Sequence, residues 1–340
     1  MVDDLIRFGV IGAGRIGKIH TENLASRVPG AEVIAIADVR LDEAREIAQK
    51  WKIPQVTADY QEVLSNPSVD AVAICSSTDT HAKLIGEAAQ AGKHIFCEKP
   101  IDHDLAKIDS ALDVVQMAGV KLQIGFNRRF DPNFHRVYEL VREGKIGVPH
   151  LLKITSRDPA PPPIAYIRVS GGIFLDMTIH DFDMARFLIG SEVTEVFTAG
   201  SVLVDTLIGE AGDIDTAVIT LRFASGAIGV IDNSRRAVYG YDQRVEVFGS
   251  KGMLSVTNNT PDNVAFSGSE GVISAKPLYF FLERYTTAFM EEMRQFVACL
   301  KENSSPLVSG SDGRAPVVIG LAARKSFEEN RPVKICEIGR

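Results

Sequence analysis

The sequence has no apolar run approaching the roughly 20 residues that cross a membrane. Only a few residues precede its first strand-like run, which leaves no room for a cleaved leader, so a cytoplasmic protein without a membrane partner is expected. It also lacks a basic block. Lys and Arg number 37 against 44 Asp and Glu, a net charge of −7, which argues against nucleic acid or another polyanion as partner. Its 4 cysteines, Cys75, Cys97, Cys299 and Cys336, are scattered with no C-x-x-C pair. Buried free thiols are expected rather than disulfides or a zinc set, and no metal is expected. Repeats and low-complexity tracts are absent.

What is present begins at residue 9. The run Gly-Val-Ile-Gly-Ala-Gly-Arg-Ile-Gly, 9–17, breaks an apolar stretch with glycines at G-x-G-x-x-G spacing. Gly12 permits a tight turn off a first strand, Gly14 lets the backbone approach a pyrophosphate, and Gly17 lets the next helix pack against the sheet. The pyrophosphate would sit on that helix N-terminus, where unpaired N–H groups favour an anion. Residues 6–11 and 31–37 read as strands, with Ile16, Ile19 and Leu24 forming an amphipathic helix between them. Asp38 closes the second strand, where a carboxylate can hydrogen-bond ribose hydroxyls. NAD is the expected cofactor, with Arg40 two residues on as a partial offset to repulsion of a 2′-phosphate.

A chain of 340 residues is long for one core, and two domains are expected, 1–127 and 128–340. Up to residue 127 strand runs at 6–11, 31–37, 70–75, 93–97 and 120–125 alternate with helical runs such as 41–50 and 80–91, which predicts an α/β doubly wound parallel sheet. Asp79 or Thr80 can cap the helix that carries His81, leaving 76–80 as a loop at the carboxyl end of a strand. Glu98-Lys99-Pro100 lies at another such end. Ligands bind at these edges.

Beyond 127 the pattern changes. Pro159 to Pro163 is a stiff segment, and Phe174 to Ile189 reads as one amphipathic helix. Runs at 193–204, 214–223, 226–234 and 242–256 suggest a meandering, mainly antiparallel sheet. Helical regions at 282–301 and 312–328 close the chain.

Asp176 and His180, four residues apart, are expected to share a helix face, with Asp183 nearby. An imidazole titrates near neutrality and suits proton removal from a hydroxyl group, with the carboxylate fixing its tautomer. The alternatives are a solvated helix face with ordinary side-chain pairing, or a metal site. Lys99 could stabilise negative charge on a reacting oxygen, or be a surface lysine in a turn.

The glycine turn, Glu98-Lys99-Pro100 and Asp176-Met-Thr-Ile-His180-Asp-Phe-Asp183 together resemble the glucose–fructose oxidoreductase/inositol dehydrogenase/MocA family over essentially the whole chain. Within it Gly125-Phe-Asn-Arg-Arg-Phe-Asp131, Ser156-Arg-Asp-Pro159 and Gly171 through Arg186 look most like the myo-inositol 2-dehydrogenase branch. The pair Asn127-Arg128 and the proline run 159–163 depart from the familiar pattern.

The resemblance implies a Rossmann domain followed by an α+β domain whose open sheet supports a dimer or homotetramer. It implies NAD-dependent oxidation of a secondary hydroxyl of a cyclic polyol, myo-inositol to 2-keto-myo-inositol, in polyol catabolism. Lys99, Asp176 and His180 match the catalytic positions, with His180 as general base. Cofactor contacts are expected from Gly12, Gly14, Arg15, Ile16, Asp38, Arg40, Ser76, Thr78, His81, Glu98, Lys99 and Asn127. Substrate contacts are expected from Lys99, Arg128, Asp158, Asp176, His180 and Tyr239. Another sugar or anhydrosugar substrate, an NAD-dependent glycosidase and a non-catalytic nucleotide sensor are the competing functions.

Overall fold

The computed structural model describes residues 5–338. The chain forms two compact units: Met1–Phe130 with Thr287–Ala315, and Asp131–Thr286 with Pro316–Arg340. A single boundary after residue 127 misses the return of 287–315 to the first unit. The cause is packing. Met293, Phe296 and Val297 on the helix Thr286–Glu302 are buried in the same apolar cluster as Phe8, Val10 and Phe96.

The first unit is built on six strands: β1 Ile6–Ile11, β2 Ala31–Ala37, β3 Gln55–Thr57, β4 Ala71–Ile74, β5 His94–Glu98 and β6 Leu122–Gly125. All pair in parallel, in the order β3-β2-β1-β4-β5-β6. Strand order reverses between β1 and β4, the place at which open parallel sheets take a ligand. Strands buried on both faces read as unbroken apolar runs, which is why β1, β2 and β4 are visible in the sequence. The three-residue β3 and the helix Leu105–Ala118 fall outside the sequence reading.

The second unit contains β7 Pro149–Arg157, β8 Val193–Ser201, β9 Thr216–Phe223, β10 Ile228–Ser234, β11 Asp242–Gly249 and β12 Gly252–Val256. A hairpin follows, β13 Ala265–Gly268 and β14 Gly271–Ser274, and then β15 Val333–Lys334. Seven of these strands form one sheet in the order β12-β11-β7-β10-β9-β8-β15. β7 has no counterpart in the sequence reading, and it makes the sheet mixed, because β10 pairs with it in parallel while the other neighbours are antiparallel. One face buries Leu152, Ile154, Ile219, Leu221, Ile231 and Val247. The other exposes Leu151, Phe197, Val218, Ile228, Phe248 and Met253.

The single helix expected from Phe174 to Ile189 is instead two, Gly172–Asp176 and Ile179–Ile189. Met177 and Thr178 interrupt it. The Thr178 hydroxyl lies 3.1 Å from the Ile173 carbonyl oxygen and 2.6 Å from Asn233 Oδ1, competing with the helical ladder. No helix among the described residues is long and apolar enough to cross a membrane.

Candidate active site

In the first unit the site begins at the turn after β1. Gly12 has φ +105°, and a Cβ there would lie 2.6 Å from the Cys75 carbonyl carbon at the end of β4. A Cβ on Gly17 would lie 1.9 Å from the Gly12 carbonyl oxygen. Neither position can carry a side chain. Over Gly14, by contrast, the nearest atom to such a Cβ is Arg40 Nη2 at 4.0 Å. The backbone is therefore close-packed beneath the turn and open above it, at the start of the helix Arg15–Ser26, as a pyrophosphate requires.

The Asp38 carboxylate, nearly buried, accepts hydrogen bonds from Ala13 N at 2.6 Å and Arg40 N at 2.7 Å. The Arg40 guanidinium turns to Glu43 at 2.7 Å. Arg15 is exposed and Ile16 half-buried on the first helical turn.

The helix after β4 runs Thr78–Gln90 with Ser77 at its N-cap, so neither Asp79 nor Thr80 caps it. Thr80 Oγ1 instead donates to the Ser77 carbonyl at 2.7 Å and lies 2.6 Å from Ser76 Oγ. Both hydroxyls are thus taken up in tightening the loop. His81 is buried, with Nδ1 2.8 Å from the Pro100 carbonyl oxygen and Nε2 3.1 Å from that of Ser76. It joins the two loops that leave β4 and β5. Lys99 is half-buried at the end of β5 and precedes Pro100 through a cis peptide bond.

Glu98 faces inward. Its Oε1 lies 2.7 Å from Nε2 of the buried His20, which is 3.8 Å from the buried carboxyl of Glu292. Burial, followed by the charge of Glu98, pushes Glu292 well above the usual carboxylate range. Burial also raises the Cys75 and Cys97 thiols, which with Cys299 are buried and free. Cys336 is exposed, against expectation, because it lies in a short 3-10 turn near the end of the chain. Asn127 and Arg128 are buried in the 3-10 turn Asn127–Phe130, and their neighbour Arg129 pairs with Asp312 at 3.0 Å.

In the second unit Asp176 ends one helix and His180, half-buried, opens the next. Tyr166 Oη donates to Asp176 Oδ1 at 2.9 Å, and Arg235 Nη1 donates to Oδ2 at 3.3 Å. The junction is locked from β10, where Asn233 Nδ2 donates to Asp181 Oδ2 at 2.9 Å. Asp183 is fully buried.

Asp158 follows β7 and is half-buried. Tyr239 Oη donates to Asp242 Oδ2 at 2.6 Å and accepts from Arg157 Nη1 at 3.1 Å. Burial and the hydrogen bond to Asp242 raise the phenol. Burial pushes Asp242 upward, but hydrogen bonds from Arg244, Tyr239 and Asn258 hold it below the usual carboxylate range.

His20, Glu292, Tyr166, Asp213, Asn233 and Arg235 escape the sequence reading. Only the last two carry a signal there, since polar residues alternating at a strand's C-terminal end point to one face.

Residues 6–126 match the oxidoreductase family with an NAD-binding Rossmann fold, and residues 134–255 match the GFO/IDH/MocA C-terminal domain. A myo-inositol 2-dehydrogenase of Thermotoga maritima is 55% identical over 98% of this chain and 99% of its own. An inositol 2-dehydrogenase of Rhizobium meliloti is 46% identical over 97% and 99%. The crystal structure of scyllo-inositol dehydrogenase from Lactobacillus casei, with bound NAD(H) and scyllo-inositol, superposes with a TM-score of 0.92 at 31% identity, covering 98% of this chain and 99% of that one. The glycine turn, the carboxylate at the end of β2 and the reversal of strand order fit NAD. The chain is an NAD-dependent dehydrogenase acting on CH–OH groups, and it belongs to the GFO/IDH/MocA oxidoreductase family.

Proposed function

We propose that this enzyme oxidises a secondary hydroxyl of a cyclic polyol to the ketone, with myo-inositol as substrate and 2-keto-myo-inositol as product. The observation that carries the reading is the Asp176–His180 junction, a carboxylate fixed by Tyr166 and Arg235 four residues before a half-buried imidazole. Similarity to the inositol 2-dehydrogenases of Thermotoga maritima and Rhizobium meliloti supports the substrate.

NAD, held by the Gly12–Ile16 turn and Asp38, supplies the hydride acceptor when bound. His180 takes the hydroxyl proton while the C–H bond on the same carbon breaks, which leaves a C=O double bond. Lys99 donates a hydrogen bond to the reacting oxygen and stabilises the negative charge that develops there. Asp176 orients the imidazole and substrate. Arg128, Asp158 and Tyr239 pair with distal hydroxyls. A site built to satisfy hydroxyls rejects analogues that lack them, because its own polar groups then lose their partners.

The exposed face of the second sheet completes the proposal. Leu151, Ile228, Phe248 and Met253 are linked by cross-strand pairing, and Phe197 and Val218 continue the face, which suits a second copy of the chain and a dimer or tetramer. Cytoplasmic polyol catabolism is the setting we assign. The test is a panel of inositols, pyranoses, anhydrosugars, 2-hydroxy acids and aliphatic alcohols assayed for net NADH formation. Myo-inositol should lead, with pyranoses weaker and aliphatic alcohols inert. A 2-hydroxy acid or aliphatic alcohol as best substrate contradicts the proposal.

A further inference from the structure

Asp176 sits at the end of a helix only five residues long, Gly172–Asp176, too short to hold its own shape. What holds it lies in the second unit. Asp213 Oδ1 accepts a hydrogen bond from Ile173 N at 3.0 Å, satisfying one of the unpaired donors at the helix start. The approach is close enough that a Cβ on Gly172, where φ is +76°, would lie 2.8 Å from that oxygen. Arg235, 1% exposed, reaches both ends: Nη1 lies 3.3 Å from Asp176 Oδ2 and Nη2 lies 3.5 Å from Asp213 Oδ2.

The base of this arrangement is rigid. Arg235 follows β10, and its N–H donates to the Asp215 carbonyl at 2.8 Å. The Asp215 carboxylate accepts from Leu203 N and Val204 N at 2.8 Å each and from Asp205 N at 3.1 Å, which fixes the loop that presents Asp213. Arg324 donates to the Gly171 carbonyl just ahead of the helix.

We infer that Arg235 and Asp213 are positioning residues for the reaction: a single buried guanidinium spans both ends of the short helix and sets where the Asp176 carboxylate stands. The inference rests on the role proposed for Asp176. A planar guanidinium presents its donors in a fixed fork, whereas a lysine ammonium is a compact charge whose three donors rotate and do not hold two carboxylates in set positions. Small displacements of a reacting group are costly, with about 1 Å worth up to roughly 10²-fold in rate.

The test uses Arg235→Lys, Asp213→Asn and Asp176→Asn, singly and in pairs, with myo-inositol and NAD. Arg235→Lys should lower kcat by about tenfold or more and Asp213→Asn by roughly threefold to tenfold, with KM for NAD unchanged. In the Asp176→Asn background each should cost less than about twofold further, because residues that act as a unit are non-additive. A general loss of structure would instead multiply with Asp176→Asn and move both KM values. Should Arg235→Lys fail to fold, Asp213→Asn carries the same test. Wild-type kcat in Arg235→Lys and Asp213→Asn beside an impaired Asp176→Asn overturns the clamp alone. Wild-type kcat in Asp176→Asn overturns the role of Asp176 and the clamp with it.

Discussion

The carboxylate of Asp38 accepts a hydrogen bond from the backbone N–H of Ala13 at 2.6 Å, which ties the end of β2 to the glycine turn after β1. The charge therefore stands beside the turn in a fixed position and opposes a 2′-phosphate, while Arg40, shared between Glu43 at 2.7 Å and Asp38 at 3.9 Å, offsets it only in part. NAD should be preferred over NADP in kcat/KM, and Asp38→Ser should narrow the gap. An NADP preference in the wild type would refute this account of the turn.

Loss of His180 should separate chemistry from cofactor binding. His180→Ala is expected to lower kcat by about 10²–10⁴-fold, the usual worth of a general base, with NAD affinity nearly intact by fluorescence titration. Lys99→Ala should also be severely impaired, and the double variant should be less impaired than the product of the two effects. Wild-type kcat in His180→Ala across the pH range would remove the histidine from the mechanism.

Glu292 gives a pH dependence of stability. Its carboxyl is buried beside His20, Glu98 and Cys75, and neither oxygen has a hydrogen-bond partner among the described residues. Its pKa in the folded state lies well above the ordinary 4.5. Stability from the neutral acid is thus fully present below about pH 4.5 and declines as pH rises through the folded value. Glu292→Gln needs no proton in that place. Its melting temperature relative to wild type should rise with pH above about 4.5, and the rise should end once the folded-state value of Glu292 is passed. A difference that is flat or falls with pH contradicts the buried neutral acid.

Phe296 tests the discontinuous first unit. It is fully buried, 6.2 Å between ring centroids from Phe8 on β1. Phe296→Ala should cost about 3–5 kcal/mol in denaturant unfolding. A loss below about 1 kcal/mol would mean that residues 287–315 do not complete this core.

Much of the first unit is legible in the sequence because its physics is local. A parallel strand buried on both faces is an apolar run, and a turn with no room for Cβ is a glycine. Asp38, Lys99, Asp176 and His180 sit inside such local patterns. Long-range features are not legible. Nothing near Phe296 shows that its helix packs on β1, and Arg235 becomes meaningful only when β10 is laid beside the helix 172–176. The break at Met177–Thr178 is hidden for the same reason, since Thr178 is drawn off by Asn233, 55 residues away. Glu98 reads as a cofactor contact from its motif, yet its partner His20 lies on a different element.

Net hydride transfer from a polyol carbon is read out by isotopic tracing. Myo-inositol carrying deuterium on the carbon of the oxidised hydroxyl should yield one NADH per ketone, with the deuterium in the nicotinamide ring of the NADH. Deuterium released to water, or turnover of a glycoside with no net NADH, would contradict the account.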